Sequence, residues 1–231
     1  MREKSVVLLS GGLDSVVNFK KAFDDTDIAL VLNFDYGQQA AVMETTASRD
    51  IANAHSAPFR SIPLRWMTDI DKGLTSGDIP DYDPAQLDNL DYANKTAKAV
   101  WVPNRNGVMI NIAASFAEAL GARNIVVGFN KEEGATFPDN TPEYLMRVNR
   151  SLEYSTLVKP KVVCYTIDMV KTEIVGLGRQ IGAPFEYLWS CYHGGGRMCG
   201  KCESCRRLLR ALDVSGFADE FKKINRYGFN S

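Results

Sequence analysis

Close to the N-terminus, a Gly-Gly turn stands between an apolar run and a predicted helix. Residues Val6 to Leu9 are all β-branched or aliphatic, which is typical of a parallel strand buried on both faces. Gly11 and Gly12 follow almost at once, and the helix is predicted from about Asp14 to Ala22. A buried strand that turns directly into a helix indicates an α/β fold.

The same alternation of strands and helices continues along the chain. Further strands are predicted at 28–33, 58–64, 125–127 and 162–167, and further helices at 43–54, 106–121, 142–155 and 171–181. This order predicts a mainly parallel sheet covered on both faces, a Rossmann-like three-layer α/β/α architecture. Residues 66–98 are rich in Asp, Gly, Pro, Asn and Tyr and show weak periodicity. They are predicted to form a long loop excursion of the kind that serves as a lid.

Length and charge narrow the class of protein. The 231 residues fit one large domain at 1–185 followed by a small segment at 186–231. A formal net charge of −1 does not predict the strong positive field of a dedicated nucleic-acid binder. No run approaches the ~20 apolar residues of a membrane span, and the N-terminus lacks the apolar region of a secretory signal. We therefore expect a cytoplasmic protein whose five cysteines are reduced.

The string Ser10-Gly11-Gly12-Leu13-Asp14-Ser15 is a candidate phosphate loop. Its glycines allow positive φ angles and a close approach of the backbone to a ligand. Successive N–H groups, a helix N-terminus and two serine hydroxyls then suit a pyrophosphate. The string is neither a Walker A loop nor a Gly-x-Gly-x-x-Gly motif. The alternative is a glycine-rich turn with a Ser or Asx cap, and the preceding buried strand favours phosphate binding.

Four cysteines lie close together near the C-terminus, at Cys191, Cys199, Cys202 and Cys205. Four thiolates satisfy tetrahedral zinc and leave no open position, which is typical of a structural site. An iron–sulfur cluster is the main alternative, because closely spaced Cys-x2-Cys pairs also hold clusters. His193 is an alternative to one of the thiols as a metal ligand, but four cysteines already suffice. The fifth cysteine, Cys164, is interpreted as a core residue of the last strand.

The phosphate-loop string resembles the PP-loop of the ATP pyrophosphatase superfamily. That resemblance implies an adenine nucleotide alpha hydrolase-like fold and cleavage of ATP between its α and β phosphates, with transfer of AMP to a substrate oxygen. The loop would hold the β and γ phosphates, where donors stabilise the group that gains charge.

Further motifs make the resemblance more specific. They are Phe34-Asp35-Tyr36-Gly37-Gln38, Pro103-Asn104-Arg105-Asn106, Pro138-Asp139 after Gly128-Phe129-Asn130, and Trp189-Ser190-Cys191-Tyr192 ahead of Cys199-Gly200. In this order, from about Val6 to Leu212, they are similar to the 7-cyano-7-deazaguanine synthase family of queuosine biosynthesis. The chain departs from the family pattern at Gln39-Ala40 and at Asn140-Thr141. The alternative for Asp35-Tyr36-Gly37 is a plain turn, and the alternative for Arg105 is a surface residue at a helix start.

The family resemblance implies a carbon–nitrogen ligase. Its substrates would be 7-carboxy-7-deazaguanine, ATP and ammonia, and its product 7-cyano-7-deazaguanine (preQ0), formed through adenylated acid and amide intermediates. The implied components are ATP with Mg2+, one structural Zn2+ per chain on the four cysteines, and a homodimer without nucleic-acid or membrane partners.

The resemblance also assigns residues to roles. The expected nucleotide contacts are Leu8, Ser10, Gly11, Gly12, Leu13, Asp14, Ser15, Asp35, Tyr36, Gly37 and Gln38. The expected catalytic residues are Asp14, which would hold Mg2+ or orient the nucleotide, and Arg105 and Lys171, which would neutralise phosphate charge. Arg105, Phe137 and Asp139 are expected to contact the substrate, with Asp139 accepting hydrogen bonds from a guanine-like edge.

Two other classes of function remain open at this stage. A tRNA-thiolating PP-loop enzyme would need a sulfur carrier and usually a basic RNA-binding surface, which the near-neutral charge does not favour. A zinc-ribbon binding module would not account for the phosphate-loop string at the opposite end of the chain.

Overall fold

The computed structural model describes residues 2–70 and 73–230, so Met1, Asp71, Lys72 and Ser231 lie outside the described residues. A five-stranded sheet consists of β1 (Lys4–Leu8), β2 (Asp27–Asp35), β3 (Phe59–Pro63), β4 (Asn124–Val126) and β5 (Lys161–Val163). Its order is β3-β2-β1-β4-β5 and every neighbouring pair is parallel. The chain therefore leaves the central strand β1 in one direction and later returns to its other side, which creates a topological switch point at the carboxyl end of β1.

The helices are α1 (Leu13–Asp25), α2 (Ala41–Ala54), α3 (Leu90–Ala97), α4 (Arg105–Leu120), α5 (Lys131–Gly134), α6 (Pro142–Ser155), α7 (Lys171–Ile181), α8 (Glu203–Val214) and α9 (Ala218–Ile224). Right-handed crossovers place α1 and α2 on one face of the sheet and α4 and α6 on the other. Helix α7 packs on α1, and α8 packs on α7. The predicted three-layer α/β/α architecture is confirmed. No helix among the described residues has the length and apolarity to cross a membrane.

The excursion at 66–98 is more structured than predicted. It contains α3, which begins after Asn89 because that side chain accepts hydrogen bonds from the backbone N–H groups of Asp91 and Tyr92, both at 3.1 Å. Leu87 and Ala93 are buried and attach this segment to the protein. The prediction of a loop throughout this range is therefore wrong for α3.

The last strand is shorter than predicted. It ends at Val163 because the N–H of Tyr165 donates to the Oδ1 of Asn18 at 2.7 Å, which draws the chain away from the sheet. Cys164 consequently lies just after the strand and is only partly buried, with its Sγ 3.3 Å from the backbone oxygen of Phe129.

Candidate active site

A cavity of about 240 Å³ opens at the carboxyl ends of β1, β2 and β4, at the topological switch point. Six of the predicted nucleotide contacts in the N-terminal motif line it: Leu8, Ser10, Gly12, Leu13, Asp14 and Ser15. Gly11 lies behind the loop against α2, where an added Cβ would come within 2.7 Å of the Cβ of Ala47. Its φ of 85° is the left-handed conformation that glycine adopts readily.

The phosphate loop leaves the start of α1 without a side-chain cap. Gly12 occupies the N-cap position, and no side chain accepts a hydrogen bond from the first turn. The hydroxyls of Ser10 and Ser15 lie 3.2 Å apart, and that of Ser15 donates to the Gly12 carbonyl at 3.0 Å. The N–H of Gly12 donates to the Ser10 hydroxyl at 3.3 Å, so a serine stabilises the turn, whereas the N–H groups of the first turn of α1 have no side-chain cap. Phosphate binding by this loop remains a prediction.

A buried ion cluster adjoins the loop. The Nζ of Lys171 lies 3.1 Å from the Oδ2 of Asp14 and 2.9 Å from the Oε1 of Glu133. The Nδ2 of Asn130 also donates to Asp14 Oδ2 at 3.0 Å. The other oxygen, Asp14 Oδ1, is buried and has no hydrogen-bond partner among residues 2–70 and 73–230. An orphaned carboxylate oxygen in a cavity wall indicates a ligand position.

Burial and charge act against each other in this cluster. Burial raises the pKa of Asp14 above its ordinary value, although Lys171 opposes the rise. Burial alone would lower the pKa of Lys171, but the carboxylates of Asp14 and Glu133 raise it overall. Burial also works against ionised Glu133, yet the charge of Lys171 leaves its pKa lowered. Lys171 is therefore a permanent cation beside the phosphate loop at neutral pH.

The second predicted nucleotide motif forms a turn after β2. Gly37 has a φ of 84°, and its N–H donates to the Oδ1 of Asp35 at 3.0 Å. Asp35 also pairs with Arg65 at 2.6 Å. Tyr36 and Gln38 line the cavity, whereas Asp35 and Gly37 are not part of its lining. The predicted nucleotide contacts of Asp35 and Gly37 therefore remain predictions, and the observed role of these two residues is to hold the turn.

The three predicted substrate residues all line the cavity. The Nη1 of Arg105 donates to the hydroxyl of Tyr36 at 2.9 Å, and its guanidinium lies over that ring. Asp139 is buried and accepts a hydrogen bond from Asn140 at 3.0 Å. Burial raises the pKa of Asp139, and the charge of Arg105 limits the rise. The side chain of Phe137 completes this end of the cavity.

Sequence reasoning missed several lining residues. Trp101, Glu133 and Tyr192 face the same cavity. Trp101 carried no usable signal, because Val100 and Val102 on either side of it line the same cavity and the turn before it gives no alternation of faces. Glu133 carried none, since its partner Lys171 is distant in sequence.

The C-terminal segment takes part in the cavity. The N–H of Trp189 donates to the Gly11 carbonyl at 2.9 Å, which attaches this segment directly to the phosphate loop. Ser190 and Ser204 both line the cavity, and their hydroxyls lie 2.9 Å apart. Trp189 is buried beside the cysteines, and its Nε1 donates to the Cys191 carbonyl at 2.9 Å. The division at 185/186 stays a prediction.

The four cysteines come together as a candidate metal centre. The Sγ atoms of Cys191, Cys199, Cys202 and Cys205 all lie within 4.8 Å of one another. Zn–S bonds of about 2.3 Å in a tetrahedron place sulfurs about 3.8 Å apart, close to the 3.9 Å between Cys199 and Cys205. The four residues therefore fit a single tetrahedral ion.

Backbone amides support thiolate character in this cluster. The N–H groups of His193 and Cys199 both donate to Cys191 Sγ at 3.3 Å, and that of Cys202 donates to Cys199 Sγ at 3.2 Å. Hydrogen bonding, first from Cys202, lowers the pKa of the Cys191 thiol to about 2 and that of Cys199 to about 6. The contact with Cys191 instead raises the pKa of Cys202 and Cys205. The His193 ring lies 3.3 Å from the Oε1 of Gln39 and does not replace a thiol.

Fold and site together define the class: a Rossmann-like α/β protein with a glycine loop at the end of its central strand and a four-cysteine candidate metal centre beside it. The model of the family described as Queuosine biosynthesis protein QueC matches residues 4–216, and the chain belongs to this family.

Relatives with curated names agree with this assignment. A 7-cyano-7-deazaguanine synthase of Desulforamulus reducens is 46% identical over 92% of this chain and 94% of its own length. A protein of the same name from Methanosarcina mazei is 43% identical, covering 94% of this chain and 96% of its own. Among solved structures, the NMN synthetase of Francisella tularensis aligns with 93% of this chain and 85% of its own at 12% identity. Its TM-score of 0.47 is too low to carry an argument about function.

Proposed function

We propose that the protein converts 7-carboxy-7-deazaguanine and ammonia into 7-cyano-7-deazaguanine with consumption of ATP. The observation that carries this proposal is that two groups of residues line one cavity. An uncapped helix N-terminus and the Asp14–Lys171 pair form one group, called the nucleotide end, and Arg105, Phe137 and Asp139 form the other, called the substrate end. One end suits phosphates and the other suits a flat polar base, and the chain belongs to a family whose relatives bear the name of this activity.

The nucleotide end would stabilise the departing pyrophosphate. The N–H groups at the start of α1 and the hydroxyls of Ser10 and Ser15 are donors placed where negative charge grows when the α–β bond of ATP breaks. Lys171 adds a fixed positive charge. The orphaned Oδ1 of Asp14 is the kind of hard oxygen that Mg2+ prefers, and Mg2+ when bound would neutralise phosphate charge there.

The chemistry takes place in two activations. In the first, a carboxylate oxygen attacks the α phosphorus and pyrophosphate leaves. Ammonia then attacks the carbonyl carbon, AMP leaves, and loss of a proton gives the amide. In the second, the amide oxygen attacks the α phosphorus of another ATP and pyrophosphate leaves. Departure of AMP from the adenylated amide, with loss of two N–H protons, then gives the nitrile. Each activation converts an oxygen that is a poor leaving group into a phosphate ester that leaves as AMP.

The substrate end would recognise the base by its edge. A guanine-type edge presents two adjacent N–H donors, and the carboxylate of Asp139 offers matching acceptors. Arg105 lies near this carboxylate, which it helps to keep ionised, and it is available to the carboxylate of the substrate or to the α phosphate.

The metal centre is proposed to hold one structural Zn2+. Sulfurs within 4.8 Å of one another surround a single ion, whereas an iron–sulfur cluster places several irons between its thiolates and spreads them further. The ion when bound would close the loop from Cys191 to Cys205. The family resemblance described in the sequence analysis predicts that the protein is a homodimer in the cytoplasm.

The test is product analysis by mass spectrometry. Purified protein with ATP, ammonium and 7-carboxy-7-deazaguanine should yield the nitrile with AMP and pyrophosphate. The yield should not change on treatment with ribonuclease, and omission of ammonium should stop the reaction. A strict requirement for tRNA would instead support the thiolating alternative and contradict the proposal.

A further inference from the structure

Trp101 lines the cavity, and it lies outside the sequence motifs to which a role was assigned. It lies in the connection between α3 and α4, between Val100 and Val102, whose side chains are only 7% and 2% exposed. Val100, Trp101 and Val102 all line the cavity, and the two buried valines belong to the hydrophobic core on either side of the indole.

The indole of Trp101 stacks on the ring of Phe137. The ring centroids are 5.7 Å apart and the planes differ by only 6°. Phe137 is fixed by its own backbone, because its N–H donates to the Glu133 carbonyl at 2.8 Å. A third ring between the two would need about 7 Å, since stacked carbons stay about 3.5 Å apart. A flat ligand must therefore lie on an outer face of the pair.

From this geometry, and resting on the proposed function, we propose that Trp101 is a specificity residue on whose indole the deazaguanine base stacks. The adenine of ATP is the competing flat ligand. Asp139, two residues beyond Phe137, decides between them. Its carboxylate matches the paired N–H donors of a guanine-type edge, whereas adenine presents one donor beside an acceptor. The aromatic wall and Asp139 thus recognise the face and the edge of the same base.

This assignment gives Trp101 a defined kinetic signature. Acid and amide carry the same base, so Trp101→Leu should raise the KM of both by about 10-fold or more, the range of base–aromatic stacking. The KM of ATP should change by less than about twofold, because the residues proposed to hold its phosphates do not include Trp101. Trp101→Phe should restore much of the loss, because it keeps a flat ring.

Intrinsic fluorescence provides a readout that does not depend on turnover. The chain has three tryptophans. Titration of 7-carboxy-7-deazaguanine without ATP should quench the wild-type emission, and Trp101→Leu should lose most of that quenching. The matched control is Trp66→Leu. Trp66 is 50% exposed and does not contribute to the described lining of the cavity, so its replacement should leave KM and quenching fraction unchanged.

Three results would overturn the proposal. They are an unchanged KM for the acid in a folded Trp101→Leu variant, quenching that survives in that variant, and equal rises in the KM of acid and ATP. Circular dichroism establishes that the variant is folded. Failure of the wild-type protein to form the nitrile would instead overturn the proposed function, so the two failures are distinguishable.

Discussion

Within the phosphate-loop end of the cavity, three charged residues determine one another's ionisation. Asp14 and Lys171 are buried, and Glu133 is partly buried beside them. A buried pair of charges is stable only while each charge keeps its partner. Lys171 is the shared partner of both carboxylates, so its removal should affect both.

Lys171→Met should therefore change the pH dependence of stability. In the wild type, the lowered pKa of Glu133 contributes stability that is present above the ordinary pKa of about 4.3 and is lost as the pH falls through the lowered value. Without the lysine, burial is unopposed, the pKa of both carboxylates rises, and ionising them costs stability. The difference in the free energy of unfolding between wild type and variant should grow from about pH 4 to pH 7.

Urea unfolding at several pH values measures this difference. The control is Lys161→Met, which removes an exposed lysine outside the cavity and should shift stability by a small amount that does not depend on pH. If the difference in the free energy of unfolding between Lys171→Met and the wild type stays constant over the same pH range, Lys171 does not control the ionisation of the two carboxylates.

At this scale, the sequence predicts local sites better than distant partners. The phosphate loop is contiguous, so strand, glycines and helix start could be recognised together. Asp14 and Lys171 were each predicted through the family resemblance, but their direct contact was not. Glu133 and Trp101 could not be assigned, because their neighbours in the cavity come from other segments.

At the scale of elements, the segment that follows β4 packs closely against the phosphate loop. Gly128 lies two residues after the end of β4, in the chain segment that packs against the start of α1. A Cβ at this position would come within 2.5 Å of the Ser15 backbone nitrogen and 2.7 Å of the Ser15 Cα. Backbone atoms cannot give way as a flexible side chain does, so the loop itself would have to move.

We expect Gly128→Ala to weaken ATP binding by about 10-fold or more and to destabilise the protein by about 1–3 kcal/mol, the usual cost of overpacking. The matched control is Gly176→Ala within α7, where an added Cβ meets nothing within 4 Å. That change should be neutral or stabilising by up to about 1 kcal/mol, since alanine favours helix. Calorimetric titration and thermal unfolding measure both effects, and normal ATP affinity in Gly128→Ala would refute this packing argument.

Helix α5 connects the phosphate loop with α8, the helix that carries Cys205. Glu132 accepts from the N–H of Lys171 at 2.8 Å and pairs with Arg207 of α8 at 2.8 Å. Its neighbour Glu133 holds the side chain of Lys171.

The elements of the sheet were predictable from periodicity. Helix α3 was not, because its sequence is rich in polar, turn-forming residues and its start depends on the Asn89 cap. The role of the excursion as a lid stays a prediction.

On the scale of the whole molecule, the cysteine centre and the nucleotide end are parts of one site. The segment that follows the sheet returns to the phosphate loop through Trp189 and Gly11. The excursion is held against the cysteines, because the N–H of Tyr82 donates to the Lys201 carbonyl at 2.8 Å. The alternation of strands and helices predicted the architecture, but it did not predict that the segment containing Trp189 packs against the phosphate loop.

Metal removal should therefore affect both stability and nucleotide binding. The purified protein should be colourless and contain about one zinc per chain. A structural zinc site contributes on the order of 10 kcal/mol, so chelation should lower Tm by more than about 10 °C and weaken ATP binding. Cys202→Ser should lose the metal, whereas Cys164→Ser should keep it, because Cys164 lies outside the cluster. A brown protein that absorbs near 400 nm would contradict the zinc assignment.

The central claim is that one phosphate loop activates two different oxygens. The described residues contain this single PP-loop string, and acid-to-nitrile conversion needs activation of the carboxylate and then of the amide. The direct measurement supplies 7-amido-7-deazaguanine with ATP and no ammonia to the wild type and to Asp14→Asn, with product detection by mass spectrometry. The wild type should form the nitrile, and the variant should lose at least about 100-fold in rate on both amide and acid, as expected for a positioned electrostatic group. A variant that fails on the acid but still converts the amide would contradict the account, because a second activating site would then have to exist.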